Sequence, residues 1–207
     1  MNESWYDRHI LPYVLDFFCG FDDIRRQRDK VVPQAQGRVL EIGIGTGRNM
    51  PHYDKSKIST IVGLDPALQM HRLAHKRIAK AGLDVELMDL SAEKIPQPDA
   101  SFDTVVCTYT LCTIPDPVAA LREMRRVLKP GGKLLFCEHG LAPDESVRRW
   151  QTRLTPRWKK IAGGCHMDRD IPGLLAAGGF KCSTLNTMYL PGPRPLTFNY
   201  WGEAIAG

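Results

Sequence analysis

The sequence predicts an α/β domain: a seven-stranded sheet of five parallel strands plus a C-terminal antiparallel pair, with helices on both faces. Three observations predict it. Short β-branched runs alternate with helix-like segments through most of the chain. The first run, "VLEI", ends in a loop with glycine at alternate positions. The last third holds two strand-like runs joined by a short Pro/Gly connector, a closeness that favours an antiparallel pair at one sheet edge.

The elements follow in order. The N-terminal 35 residues read as helical, with a break at Cys19–Gly20. Predicted strands are Val39–Ile42, Thr60–Leu64, Val85–Met88, Thr104–Cys107 and Lys133–Cys137. A helix is predicted over Leu68–Ala81, where Met70, Leu73, Ala74 and Ile78 recur at near-helical spacing. A second is predicted over Pro117–Leu128, with Val118, Leu121, Met124, Val127 and Leu128 on one face, stopped by Pro130 and the glycines of "KPGGK". "GGFKCSTLNTM" and "LTFNYWGEAIA" are the final strands, with "LPGPRP" between them. One domain accounts for the chain: 1–36 as an N-terminal helical lid, 37–138 as a cofactor-binding core, and 139–207 as a substrate-side insertion with the last strands.

Composition bounds the function classes. A chain of 207 residues with 43% hydrophobic and 25% charged content is an ordinary globule with room for a core. No run approaches the roughly 18 apolar residues of a membrane span, and the N-terminus has polar and acidic residues where a secretory signal needs an apolar run. The cytoplasm is the expected compartment. The net charge of +5 is mild, and no nucleic-acid motif accompanies it, so a nucleic-acid partner is not expected. Basic residues with Trp150 and Trp158 in "SVRRWQTRLTPRWKK" suit either a solvated helix or peripheral contact with a membrane. The six cysteines contain no C-x-x-C pair and match neither a zinc module nor a disulfide scaffold.

The loop "EIGIGTGRN" carries the functional signal. Gly43, Gly45 and Gly47 permit positive φ and close backbone approach. A dinucleotide fingerprint needs G-x-G-x-x-G, but here the third glycine comes one residue early. A Walker loop is absent from the sequence. Glu41 would repel a pyrophosphate yet suits a cationic ligand. Asp65, about 20 residues past the glycines, suits a ribose diol or a helix cap before Pro66.

In this order and spacing, "EIGIGTG", "GLDP", "MDLSAEKIPQPDASFD" and "RVLKPGGKLLF" resemble the motifs of class I S-adenosylmethionine (SAM) dependent methyltransferases, which have a Rossmann-like fold. The resemblance implies SAM as cofactor, held by Glu41, Gly43, Gly45, Gly47, Asp65, Pro66, Met70, Ser91, Ala92 and Thr108. Ser91 stands where the family often has Asp, and either Ser91 or Asp89 would meet the adenine. Asp103 is implied as structural.

Beyond the cofactor blocks, Leu111–Cys112, Glu138–His139, Trp150–Gln151, Pro156, Trp158, Gly164–Cys165 and Arg169 resemble the alkyl-thiol S-methyltransferases. That resemblance implies transfer of a methyl group to a small-molecule thiol, with Tyr109, Cys112 and His139 as catalytic candidates and His139 as a base. Animal members carry an N-terminal hydrophobic anchor, which this N-terminus does not resemble. Methylation of a lipid headgroup or quinone is the alternative enzyme reading, and a non-catalytic SAM-binding module the alternative of another class. Cys165, His166 and Arg169 in "GGCHMDRD" lack metal-ligand partners at the usual spacing, so they are expected to form a clasp or pocket wall, without a metal.

Overall fold

The computed structural model describes Trp5 and residues 9–207, apart from the side chains of Leu68, Gln69 and His71. Seven strands form one sheet: β1 (Gly37–Ile42), β2 (Ile58–Leu64), β3 (Val85–Met88), β4 (Phe102–Thr108), β5 (Leu128–His139), β6 (Phe180–Tyr189) and β7 (Phe198–Ala206). Their order is β3-β2-β1-β4-β5-β7-β6. The first five are parallel, and β7 is antiparallel to both of its neighbours. The helices are α1 (Leu11–Cys19), α2 (Asp22–Arg28), α3 (Leu68–Ala81), α4 (Pro117–Val127), α5 (Glu145–Ile161), α6 (Ile171–Ala177) and α7 (Arg194–Thr197).

Alternation along the central strands builds two cores. Leu40, Val62, Val105 and Leu134 join one cluster with Leu121 and Met124 of α4 and Leu175 of α6. Their sequence neighbours Val39, Ile61, Val106 and Leu135 join the other, with Ile78 of α3 and Val31 and Val32. Successive strand side chains point to opposite faces, so a nearly continuous apolar run is what a sheet covered on both sides requires.

Local chemistry sets the helix ends. Asp116 caps α4 by accepting the Ala119 N–H at 3.0 Å, with Pro117 at its first position. Gly82 ends α3 at φ +60° in the left-handed region. Arg126, near the end of α4, holds Glu123, Asp99 and the Ile95 and Gln97 carbonyls, which fastens the approach to β4.

Two expectations change. Leu128 belongs to β5, where it pairs with Phe102, and the register shifts before Lys133 resumes pairing. The "KPGG" turn is thus a bulge within the strand rather than a break ahead of it. "LT" of the final run lies in α7 rather than in β7. The N-terminal aromatics Trp5, Tyr13, Phe17, Phe18 and Phe21 are all exposed, and α1 buries Leu11 and Pro12. Tyr6 lies outside the described residues. Among the described residues, no helix is long and apolar enough to cross a membrane.

Candidate active site

Sequence order along the sheet reverses between β1 and β4, and the crevice beyond the carboxyl ends of such strands is where this architecture binds ligands. The glycine loop leaves β1 at that point. Gly43, Gly45 and Gly47 all have positive φ, +66°, +50° and +76°. A Cβ on Gly43 would lie 2.2 Å from Thr110 Oγ1, so the loops after β1 and β4 close on one another only because position 43 lacks a side chain.

Asp65 ties the loop to the end of β2. Its buried carboxylate accepts the Gly45 N–H through Oδ2 and the Ala67 N–H through Oδ1, both at 2.8 Å. The helix cap anticipated at Asp65 is displaced, because α3 begins only at Leu68 with Ala67 as its N-cap. Pro66 is exposed, and Met70 brings its Sδ to 3.6 Å from where a Gly45 Cβ would sit. Ala92 is buried. Ser91 donates to Glu93, which in turn accepts the Asp116 N–H at 2.7 Å, while Asp89 is exposed.

Glu41 lies beneath the loop. It is 1% exposed, accepts from Tyr53 Oη at 2.6 Å and Asn49 Nδ2 at 3.1 Å, and has the Arg28 guanidinium nearby. Burial raises its carboxyl to about 7, against the opposing pull of those three partners. Thr108 at the end of β4 joins the same network through Asn49 at 3.0 Å and Arg28 at 3.2 Å. Arg28, Asn49 and Tyr53 were not anticipated. Asn49 stands two residues past the last glycine, but Arg28 and Tyr53 carry no local signal.

Asp16 of α1 docks the N-terminal helices on this loop. It accepts from Thr46, Arg48 and Arg77 at 2.5–2.9 Å. Burial pushes its carboxyl up, but the hydrogen bonds from Arg77, Arg48 and Thr46 outweigh that and hold it at about 2. This folded value lies below the ordinary 3.8, so the contribution of the clamp is complete above about pH 4 and is lost as the pH falls towards 2. Asp16→Ala is expected to remove about 1 kcal/mol at neutral pH, after solvent screening of the partly exposed arginines. It should also flatten acid unfolding between pH 4 and 2, followed by circular dichroism. An unchanged acid limb would contradict this.

The catalytic candidates lie around the ends of β4 and β5. Glu138 of β5 is fully buried, and its Oε1 accepts the N–H groups of Thr110 at 2.8 Å and Leu111 at 3.1 Å. Burial raises its carboxyl, with those two N–H groups opposing. Arg169 holds the same loop from the other side, donating to the Leu111 carbonyl and, at 2.7 Å, to that of Ile114. Tyr109 proves to be a packed residue. Its hydroxyl donates to Asn199 at 2.8 Å, its ring lies 4.9 Å from the Arg28 guanidinium, and its φ is +53°.

Cys112 and His139 do come together, with Cys165 as the third member. One donor atom from each lies within 4.8 Å of the others. His139 Nε2 is 3.1 Å from Cys165 Sγ, so this nitrogen has a sulfur partner. Cys165 therefore joins residues from distant elements rather than His166, its sequence neighbour. The His166 N–H instead donates to the Cys112 carbonyl at 2.9 Å. Cys165 has no metal-ligand partner at close spacing along the chain, and the fold supplies Cys112 and His139 from across it.

Fold and site together define a class I SAM-dependent methyltransferase. The residues present fit the cofactor: three positive-φ glycines keep side chains out of the crevice for close backbone approach, and the buried Asp65 carboxylate is an acceptor at the switch point, positioned by the Gly45 and Ala67 N–H groups. Residues 40–136 match the family model for a methyltransferase domain. The rat (Rattus norvegicus) thiol S-methyltransferase TMT1B is 40% identical over 159 residues, 75% of this chain and 62% of that protein. Human thiol S-methyltransferase TMT1A is 32% identical over 217 residues, 95% of this chain and 87% of that protein. A solved SAM-dependent methyltransferase from Methanosarcina mazei shares the fold with a TM-score of 0.66 at 22% identity, covering 85% and 96% of the two chains. The chain belongs to the family of the thiol S-methyltransferases TMT1A and TMT1B. It spans 62% of the length of the rat relative.

Proposed function

We propose that this protein methylates the sulfur of a small-molecule alkyl thiol. The observation that carries the reading is the convergence of Cys112, His139 and Cys165 at the carboxyl ends of β4 and β5, where the loop bearing Cys112 also packs Thr110 against Gly43. Their soft, half-apolar surroundings suit a sulfur acceptor, and the family relationship to thiol S-methyltransferases supports it. SAM, when bound, supplies an electrophilic methyl group on a cationic sulfur. The chain's own residues hold and orient. Gly43, Gly45 and Asp65 form the cofactor side, and Leu111 and Cys112 form the acceptor side, pinned by Glu138 and Arg169. Much of the rate enhancement comes from that alignment and from exclusion of water. Helices α1 and α2 act as a lid, fastened through Asp16.

The test is incubation with methyl-labelled SAM and soluble thiols, amines and phenols, with a parallel arm of phosphatidylethanolamine in vesicles. Label is expected in thioether products. Labelled lipid with no labelled thioether would overturn the thiol reading in favour of a headgroup enzyme. Tight SAM binding without turnover of any acceptor would favour a binding module. The exposed Tyr13, Phe17, Phe18 and Phe21 motivate the vesicle arm, since amphipathic aromatics favour a lipid interface.

A further inference from the structure

The acceptor wall has the composition of a metal centre with one position open. We infer that Cys112, His139 and Cys165 bind a zinc ion, and that the acceptor thiol completes its coordination. This rests on the thiol reading above and adds the device that activates the acceptor.

The geometry comes first. The three donors come from separate elements: the loop after β4, the last residue of β5 and the turn after α5. Their ligand atoms all lie within 4.8 Å, with His139 Nε2 and Cys165 Sγ at 3.1 Å. Tetrahedral zinc, with bonds of about 2.3 Å to sulfur and about 2.0 Å to nitrogen, sets its ligand atoms about 3.6–3.8 Å apart. That separation lies between the 3.1 Å of the His139–Cys165 pair and the 4.8 Å that bounds all three donors.

Donor type narrows the ion. Two sulfurs and an imidazole select zinc over magnesium or calcium, which take oxygen. Three protein ligands are the number found in catalytic zinc sites, where the fourth position is left to water or substrate. The surroundings are those of a supported site. Cys112 and Cys165 are buried with Ala162, and Trp158, whose buried indole N–H has no conventional partner, packs against them. The loop bearing Cys112 is held by Glu138 on one side and by Arg169 and His166 on the other. His139 is placed by β5, paired there with Asn199 of β7. Ligands held this firmly require little reorganisation to take up an ion.

The chemistry closes. The acceptor R–SH binds zinc as R–S⁻ and its proton leaves to solvent. One zinc with two cysteine thiolates and neutral histidine is uncharged, so the bound acceptor brings the centre to −1, opposite in sign to the cofactor's sulfonium. The acceptor sulfur's electron pair forms the new S–CH3 bond. The electron pair of the broken methyl–sulfur bond stays on the cofactor's sulfur, which becomes a neutral thioether. The methylated acceptor, also a neutral thioether, is a poor zinc ligand and dissociates. A free thiol with pKa near 8.5 is only a few per cent ionised at pH 7, which is the deficit a metal removes.

Cobalt(II) tests the site by spectroscopy independent of turnover. The reduced, chelator-stripped protein is titrated with Co²⁺. One equivalent is expected to bind, with a thiolate-to-cobalt charge-transfer band in the near ultraviolet and strong visible bands of tetrahedral cobalt. Adding an alkyl thiol should shift the visible bands. Cys112→Ser, His139→Gln and Cys165→Ser should each weaken Co²⁺ binding at least about tenfold. Calorimetry with SAM on each variant should show retained affinity, which reports that the cofactor side is folded. Absence of stoichiometric Co²⁺ binding by the reduced protein overturns the inference, as does an unchanged spectrum in the Cys112→Ser/Cys165→Ser double variant. A pair that only forms a disulfide, and binds no metal once reduced, overturns it equally. Full thiol methylation by metal-free protein overturns the zinc role and leaves the thiol reading standing. Stoichiometric cobalt whose spectrum ignores added thiol overturns the acceptor's place on the metal.

Discussion

Asp65→Ala is expected to weaken SAM binding by about 1–3 kcal/mol, roughly 5- to 150-fold in Kd, measured by calorimetry. Asp65 sits where the motif places the acceptor for the ribose hydroxyls, and hydrogen bonds to a charged group carry this order of energy. The structure gives the residue a second task, since it accepts from both Gly45 and Ala67 and joins the glycine loop to the start of α3. Loss of affinity thus combines missing ribose contacts with a loosened loop. Asp65→Asn separates the two: its Oδ1 can still accept from Ala67, while the other position becomes an N–H2 facing the Gly45 N–H. An intermediate loss is expected for Asn. Unchanged affinity in a folded Asp65→Ala protein would remove Asp65 from the cofactor site.

Gly43→Ala is expected to be more severe for the molecule as a whole, costing about 2–5 kcal/mol of stability along with SAM binding. Two terms add. A φ of +66° puts any L side chain in the left-handed region, at about 1–2 kcal/mol. The new Cβ would also meet Thr110 at Oγ1, Cγ2 and Cβ, at 2.2, 2.3 and 2.8 Å, and overpacking of this kind costs about 1–3 kcal/mol. A β-branched side chain cannot rotate clear of that contact. Chemical denaturation measures the loss. The double variant Gly43→Ala/Thr110→Gly should recover the steric part and leave the backbone part. If Gly43→Ala alone is neutral, the close approach of the two loops is not what holds the crevice.

Some of this was legible in the chain. The paired alternation Val39/Leu40, Ile61/Val62 and Val105/Val106 forces a sheet with two covered faces, because neighbouring residues must both be buried on opposite sides. The glycines at 43, 45 and 47 are local in the same sense, since a loop that takes positive φ at three positions favours glycine at each. The outward direction of Phe17 and Phe18 was not legible. Apolar content suggests burial, but α1 meets the core through Leu11 and Pro12 and is anchored by the polar Asp16. The bulge at "KPGG" was also missed, because a break signal looks the same whether or not Leu128 has already joined the sheet.

The acceptor wall shows where the boundary lies. Sequence alone determined the fold class and the glycine loop, since these depend on periodicity and short-range spacing, whereas Cys112 and His139 were singled out only by the family resemblance. Only the tertiary structure decided that Cys165 faces His139 rather than His166, that Tyr109 is committed to Asn199, and that Glu41 is enclosed by Tyr53, Asn49 and Arg28. Cys165 and His139 are 26 residues apart, and Tyr109 and Asn199 are 90 apart. Contacts at such separations are set by strand order and by the turns that return α5 and β7 to the end of β5. No local pattern encodes that return, because it follows from packing the whole sheet.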